Sequence, residues 1–364
     1  MAIERHLYSD LPIPPGEYFA EVLKEKGISQ AEIARRMGRP AQAINEIIRG
    51  EKAITPETAL QLERTIGVPA HIWTGLEARY RLIKARRLEM KQLQKDLPFL
   101  KHIPHENLAR VGFIKKTRNK LGKIRELHRF FGVSALSNMA DVKAYAPAFR
   151  LARRRNASPY ALVAWLKCAG ILAYKTPTKP FIKESLRSCI PKIRKLTLKP
   201  PAVFEPKVKK ILADCGVVLV FMPHFPKTYA HGAAFWIAQE KAVIVISIRG
   251  SWADIFWFSL FHELAHILLH KKHQIFIDDA EVSTGMQNLE EEANSYAAEQ
   301  LIPRHAYQRF VSLSSFSAES TRAFSNQVGI APGIVVGRLQ HDGLLRQNSR
   351  LNTLRERLKW NLDN

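Results

Sequence analysis

The stretch that most restricts what this chain can become is Phe258-Ser259-Leu260-Phe261-His262-Glu263-Leu264-Ala265-His266-Ile267-Leu268-Leu269-His270, an apolar run broken by histidines and a glutamate. On a helix of 3.6 residues per turn, His262 and His266 project from one face and can offer both imidazoles to one metal. Ile255-Phe256-Trp257-Phe258 and Ile267-Leu268-Leu269 flank the polar trio, so the helix is expected to be mostly buried. Two core histidines without a ligand would carry an uncompensated desolvation cost there, which a metal offsets. Glu263 stands beside them as a general base toward water, the role needed for metal-assisted hydrolysis of a peptide bond.

A catalytic zinc takes three protein ligands and keeps one position open. Leu289-Glu290-Glu291-Glu292-Ala293-Asn294-Ser295-Tyr296-Ala297-Ala298 is a second helical stretch, beginning 23 residues beyond His266. Glu290 and Asn294 share a face, with Ala293 and Ala297 small enough for close helix packing. Glu290 is therefore the expected third ligand and Asn294 the partner of one histidine's far ring nitrogen. Glu291 and Glu292 remain alternatives, and whichever glutamates bind no metal are solvated acids at a helix start. An oxyanion-stabilising group is also required; His231, Tyr229 and Tyr296 are candidates.

Ahead of the motif, Val217-Val218-Leu219-Val220-Phe221, Ala233-Ala234-Phe235-Trp236-Ile237 and Ala242-Val243-Ile244-Val245-Ile246-Ser247 read as strands of a small sheet. An edge strand beside such a helix can take up an extended peptide as a further strand. Which strand does so is left open by the pattern.

At 364 residues the chain exceeds the usual single-domain size. The net charge of +23 is unevenly placed: residues 1–80 hold 10 basic and 11 acidic side chains, residues 81–210 hold 32 and 7, and residues 211–364 hold 14 and 15. The basic middle suits either a polyanion, with binding that weakens as salt rises, or a solvated helical connector. Lys192, Arg194, Lys195 and Lys199 cluster without interleaved aromatics, which speaks against stacking on bases. Cys168, Cys189 and Cys215 are too few and too scattered for a disulfide framework and are expected to be reduced. No apolar run reaches the ~20 residues that cross a bilayer, and residues 1–10 lack signal-peptide character, so a cytoplasmic protein with no membrane partner is expected.

Residues 15–68 read as short helices with clear punctuation. Phe19, Val22 and Leu23 mark the first, which Gly27 ends. Ser29 caps the next, Gln30 to Met37, with Glu32 expected to complete a capping box. Gly38-Arg39-Pro40 turns the chain into a third helix, Ala41 to Arg49, and Thr55-Pro56 opens a fourth that runs to Gly67. The small Ala34 and the apolar Ile44 and Ile47 fit a helix-turn-helix. Arg39, Gln42, Ala43, Asn45 and Glu46 are then expected nearer the exposed side, where Gln and Asn can meet base edges and Arg a base or phosphate, and Gln30 at a helix N-terminus is a candidate phosphate contact.

This region resembles the Xre-type DNA-binding domain of HigA antitoxins. The residues that carry the likeness are Pro15-Gly16-Glu17, Ser29-Gln30-x-x-Ile33-Ala34, Ile44-Asn45-Glu46-Ile47-Ile48-x-Gly50 and Ala53-Ile54-Thr55-Pro56-Glu57-Thr58-Ala59-Leu60-x-Leu62. The resemblance spans about residues 12–80 and implies a homodimer on operator double-stranded DNA.

From His71 to Lys95 the pattern is helical, with Leu76, Tyr80, Ile83 and Leu88 as an imperfect apolar stripe suited to a connector or a dimer contact. Further helical patterns cover Lys120 to Phe131, residues 147–154, and Tyr160 to Leu172, where Leu162, Trp165 and Leu166 bury one face. After the motif, Ala323, Gly329, Ile334 and Leu339 loosely echo a second helix-turn-helix, read as packing because the segment is not basic. His305 and His341 are expected to be ordinary surface histidines.

The C-terminal half resembles the ImmA/IrrE family of zinc metallopeptidases through Asp254-Ile255-Phe256-Trp257-Phe258-x-Leu260-x-His262-Glu263-Leu264-Ala265-His266, Glu290-x-x-Ala293-Asn294-x-x-Ala297 and Leu301-Ile302-Pro303. The resemblance implies Zn2+ on His262, His266 and Glu290, with Glu263 as catalytic base. The expected fold is multidomain and mainly α: an N-terminal all-α helix-turn-helix bundle (1–80), a basic helical connector (81–203), a C-terminal α+β zincin-like domain with a small sheet (204–345) and a tail (346–364). Two functions are open. One is a DNA-binding regulator whose zinc peptidase domain cleaves a regulatory protein or itself. The other is a HigA-type antitoxin and autorepressor that neutralises a cognate toxin by binding, with zinc structural or the peptidase inactive.

Overall fold

Helix caps, rather than long apolar runs, organise the front of the chain. The structure is a computed structural model that describes residues 11–143, 145, 148–149, 157–247, 251–271, 276–278, 287–313 and 315–359. The helix expected over residues 147–154 falls outside them apart from Ala148 and Phe149. The chain forms two compact units, residues 1–97 and 98–364.

The first unit holds α1 (Pro15–Glu25), α2 (Gln30–Met37), α3 (Ala41–Ile48), α4 (Pro56–Ile66) and α5 (Ala70–Lys95). Ser29 Oγ accepts the Glu32 N–H, Gly38 closes α2 at φ 62°, and Thr55 caps α4 ahead of Pro56. The capping box at Ser29 does not close. Arg35 and Arg36 take the Glu32 carboxylate at 2.6 and 2.8 Å, and charge-assisted bonds outcompete one bond to a backbone N–H. Phe19, Ile33, Ile44, Ile47, Leu62 and Trp73 form the buried centre. α1 approaches α3 so closely that a Cβ on Gly16 would lie 2.1 Å from the Ile47 carbonyl oxygen, which explains a glycine inside a helix. On α5 only part of the apolar stripe is used: Tyr80 and Ile83 are buried, whereas Leu88 is 61% exposed.

In the second unit, β1 (Val217–Phe221), β2 (Gly232–Ala238), β3 (Lys241–Ile246) and β4 (Phe276–Asp278) make one sheet in the order β1-β3-β2-β4. β1 and β3 are parallel; β2 runs antiparallel to β3 and β4. β3 is buried from Ala242 to Ile246, so its sequence is continuously apolar instead of alternating. Three strands follow the expected runs, while β4 is too short to carry a pattern. The helix Ala253–Leu269 packs on β2 and β3 and against two later helices, Gln287–Leu301 and Pro332–His341. Leu162, Trp165 and Leu166 are buried on the helix Pro159–Lys175, as their spacing requires.

The Pro332–His341 helix and its predecessor, Ala318–Val328, place Phe324, Ile334 and Leu339 in the core, so this segment packs as expected. Beyond it, residues 346–359 fold back. Leu351 and Leu358 are buried, the Leu358 N–H donates to the Ser251 carbonyl at 2.7 Å, and the Ala253 N–H donates to the Glu356 carbonyl at 2.9 Å. The segment expected as a tail therefore seals the N-terminal end of the His-Glu helix. No helix among the described residues is long and apolar enough to cross a membrane.

Candidate metal centre

Burial of the Ala253–Leu269 helix sets the chemistry of its polar residues. His262, Glu263 and His266 are 2%, 0% and 1% exposed. His262 Nε2 and His266 Nε2 lie 2.9 Å apart. Glu290 Oε2, from the Gln287–Leu301 helix, lies 3.1 Å from the first and 3.5 Å from the second. Ala293 and Ala297, both fully buried, let the two helices come this close.

These separations fit a metal. A tetrahedral zinc with bonds of about 2.0–2.1 Å holds its ligand atoms about 3.3 Å apart, and two imidazoles with one carboxylate are a frequent donor set for it. Among the described residues, His262, His266 and Glu290 are the group of potential ligands whose donor atoms all lie within 4.8 Å of one another. Protonation states agree. Burial, only partly opposed by Glu290, holds the His266 imidazole below its ordinary value. Burial alone would raise Glu290, but hydrogen bonds donated from Nε2 of His262 and His266, the positions at which a metal would replace those protons, outweigh it and bring the carboxyl to about 2. A neutral imidazole and an ionised carboxylate are the forms that coordinate metal.

Asn294 stands where its helix face placed it: its Oδ1 accepts from His262 Nδ1 at 2.9 Å, which leaves the Nε2 lone pair facing the cluster. Glu263 is pressed against the start of β2, where a Cβ on Gly232 would lie 2.5 Å from Glu263 Oε1. Of the oxyanion candidates, His231 directly precedes Gly232, and its carbonyl accepts the Ser247 N–H at 2.8 Å. Tyr229 is 42% exposed, with a left-handed backbone at φ 54°. Tyr296 lies about 240° around its helix from Glu290 and packs against the apolar core.

In the first unit, Gln30 is exposed at the first position of α2. Gln42 is exposed on α3, its amide donating to Glu46 Oε1 at 3.0 Å. Asn45 is half-buried, and Arg39 donates to Gln61 Oε1 at 2.6 Å. Ala43 corrects an expectation. It is 7% exposed because Ala43, Ile44 and Ile47 form the inward stripe of this eight-residue helix, so it does not lie toward the exposed side.

A family model described as helix-turn-helix matches residues 19–73. Over 76 residues the chain is 37% identical to "Virulence-associated protein I" of Dichelobacter nodosus, covering 21% of this chain and 70% of that one. The chain belongs to the helix-turn-helix family. Over 73 residues this helix-turn-helix protein is also 32% identical to an uncharacterized HTH-type transcriptional regulator, YddM, of Escherichia coli, covering 20% of this chain and 78% of that one. A solved addiction module antidote protein of the HigA family from Coxiella burnetii is 30% identical, covering 23% of this chain and 94% of its own, with a TM-score of 0.22. A second family model, a peptidase family described as IrrE N-terminal-like domain, matches residues 213–324. The helix-turn-helix protein is thus a DNA-binding type of regulator fused to a peptidase-like domain, and that second match encloses His262, Glu263, His266, Glu290 and Asn294.

One residue of the centre was not anticipated. His270 Nδ1 lies 2.8 Å from His266 Nδ1, and His270 Nε2 lies 3.2 Å from Glu292 Oε2. The signal was available, since His270 repeats the four-residue spacing of His262 and His266. Of the alternative third ligands, Glu292 is engaged by His270, and Glu291 is exposed.

Proposed function

We propose that this chain is an operator-binding regulator whose C-terminal unit is a zinc-dependent peptidase acting on a regulatory protein or on itself. The observation that carries the peptidase half is the convergence of His262, His266 and Glu290 on one buried point, with the Glu263 carboxylate on the same helix. His262, His266 and Glu290 would hold the zinc, which would supply Lewis acidity toward a water and a carbonyl oxygen. Glu263 takes a proton as water oxygen bonds to the carbonyl carbon, and returns it to the amine nitrogen as the C–N bond breaks. Burial of Glu263 keeps that proton from bulk solvent. Asn294 holds the His262 ring in the tautomer that points Nε2 at the centre.

Metal analysis of the full-length protein is expected to find one zinc per chain, and cleavage of a neighbouring regulator is expected to stop when the zinc is stripped by a chelator. Protein that binds no zinc would refute the peptidase reading. The Gly232 contact gives a second check. Gly232→Ala is expected to push the Glu263 carboxylate aside, lowering cleavage at least tenfold with zinc content unchanged, because the atoms nearest the added methyl all belong to Glu263. Assay of metal and turnover on the same preparation separates these two effects.

For the DNA half, the exposed Gln42 on α3 is the side chain best placed for a base edge. Gln42→Ala is expected to weaken binding to the protein's own promoter by about 1–3 kcal/mol, read in a mobility-shift titration. Equal affinity of the wild type for promoter and random DNA would remove the operator assignment. Binding as a homodimer belongs to the same proposal.

The likeness of residues 12–80 to HigA antitoxins supports a second reading, in which the chain neutralises a toxin by contact and represses its own gene. Toxin neutralisation by metal-free protein would favour it over the peptidase.

A further inference from the structure

The two histidines of the centre are backed differently. Behind His262 stands a neutral amide, Asn294, at 2.9 Å. Behind His266 stands His270, at 2.8 Å between the two Nδ1 atoms, and behind His270 stands the carboxylate of Glu292, at 3.2 Å from Nε2. The His270 side chain is 2% exposed, whereas Glu292 is 57% exposed.

Proton placement along this chain has one consistent solution. If the Nε2 lone pair of His266 faces the centre, its proton sits on Nδ1 and must be donated to His270 Nδ1. That nitrogen is then an acceptor, so His270 carries its own proton on Nε2 and donates it to Glu292. His270 caps its helix, and its backbone N–H also bonds the His266 carbonyl at 3.2 Å, so the two rings are tied through backbone and side chain alike. Glu292 comes from the helix that provides Glu290, two residues further on, so one helix supplies both a ligand and the far end of the relay.

We propose that His270 and Glu292 are positioning residues that fix the tautomer and ring plane of His266 and lend it negative charge, thereby setting how tightly the site holds zinc. The proposal rests on the reading of His262, His266 and Glu290 as a zinc site. Partners of this kind behind a ligating histidine typically change metal affinity by about 10–100-fold.

The test is the zinc affinity of full-length protein, measured with Zn2+ against a competing chromophoric chelator, alongside the melting temperature of the metal-free form. His270→Ala is expected to bind zinc about 10–100-fold more weakly. His270→Gln, whose side-chain oxygen can accept the His266 Nδ1–H, is expected to bind zinc within about threefold of wild type. Glu292→Gln keeps an acceptor but loses the charge, and a loss of about threefold or more is expected. Because Glu292 is exposed, this variant keeps the test decisive if His270→Ala fails to fold. Affinities for all variants within twofold of wild type, or a Gln variant at position 270 no better than the Ala variant, overturn the relay. Wild-type protein that binds no zinc overturns the site itself, and so the two failures are distinguishable.

Discussion

Replacing Glu263 by glutamine is expected to leave one zinc per chain in place and to slow peptide-bond cleavage by about 10²–10⁴-fold, the usual contribution of a positioned general base. Glutamine has the size and shape of glutamate, so the contact with Gly232 and the packing of the buried helix survive. Its amide has no basic lone pair that can take a proton from water at neutral pH. The metal ligands are untouched, since Glu263 is not one of the three side chains, His262, His266 and Glu290, whose donor atoms converge. Metal content and cleavage rate measured on the same protein therefore separate a role in proton transfer from a role in holding zinc. A variant that still cleaves within about threefold of wild type would exclude Glu263 as the base, and one that loses zinc would place it in the ligand set.

Local periodicity made the centre legible in advance. His262 and His266 sit one turn apart, with Glu263 between them, in a helix whose burial is written in its flanking aromatics, and Glu290 and Asn294 follow the same four-residue spacing on a second helix. What the spacing could not supply was partner identity across the fold. Ala43 looked like a surface residue on an eight-residue helix, and only its packing beside Ile44 and Ile47 shows which stripe turns inward. Glu32 had the right spacing for a capping box but lies within reach of two arginines that bind it more strongly. β4 is three residues long and forms because β2 offers it an edge, which is a property of the sheet and not of the segment. The return of residues 346–359 is the extreme case, since its decisive contact joins positions 101 residues apart.

That contact makes the second large prediction. Arg355 Nε and Nη2 donate to the two carboxylate oxygens of Asp254 at 3.1 and 2.8 Å, and Nη1 donates to Gln340 Oε1 at 2.9 Å. The guanidinium also lies 4.3 Å from the ring centroid of Trp252. Side chains of the pair are 8% and 7% exposed, so each charge depends on the other. Arg355→Ala is expected to destabilise the second unit by about 3–5 kcal/mol, because it strands a buried carboxylate in the first turn of the His-Glu helix. Chemical denaturation followed by tryptophan fluorescence reads this directly, and a loss below about 1 kcal/mol would show the pair to be dispensable. The pH dependence has a definite sign. Burial already raises the Asp254 carboxyl above its ordinary value, with Arg355 pulling against it. Without Arg355 the folded-state value rises further above the unfolded one, so the folded state binds the proton more tightly and the stability deficit shrinks as pH falls through that raised value. The deficit is therefore expected to be larger at neutral pH than in mild acid. Pairing Asp254→Ala with Arg355→Ala removes both charges, and the double variant is expected to lose less than the sum of the single losses. Simple additivity would mean that the two side chains act independently.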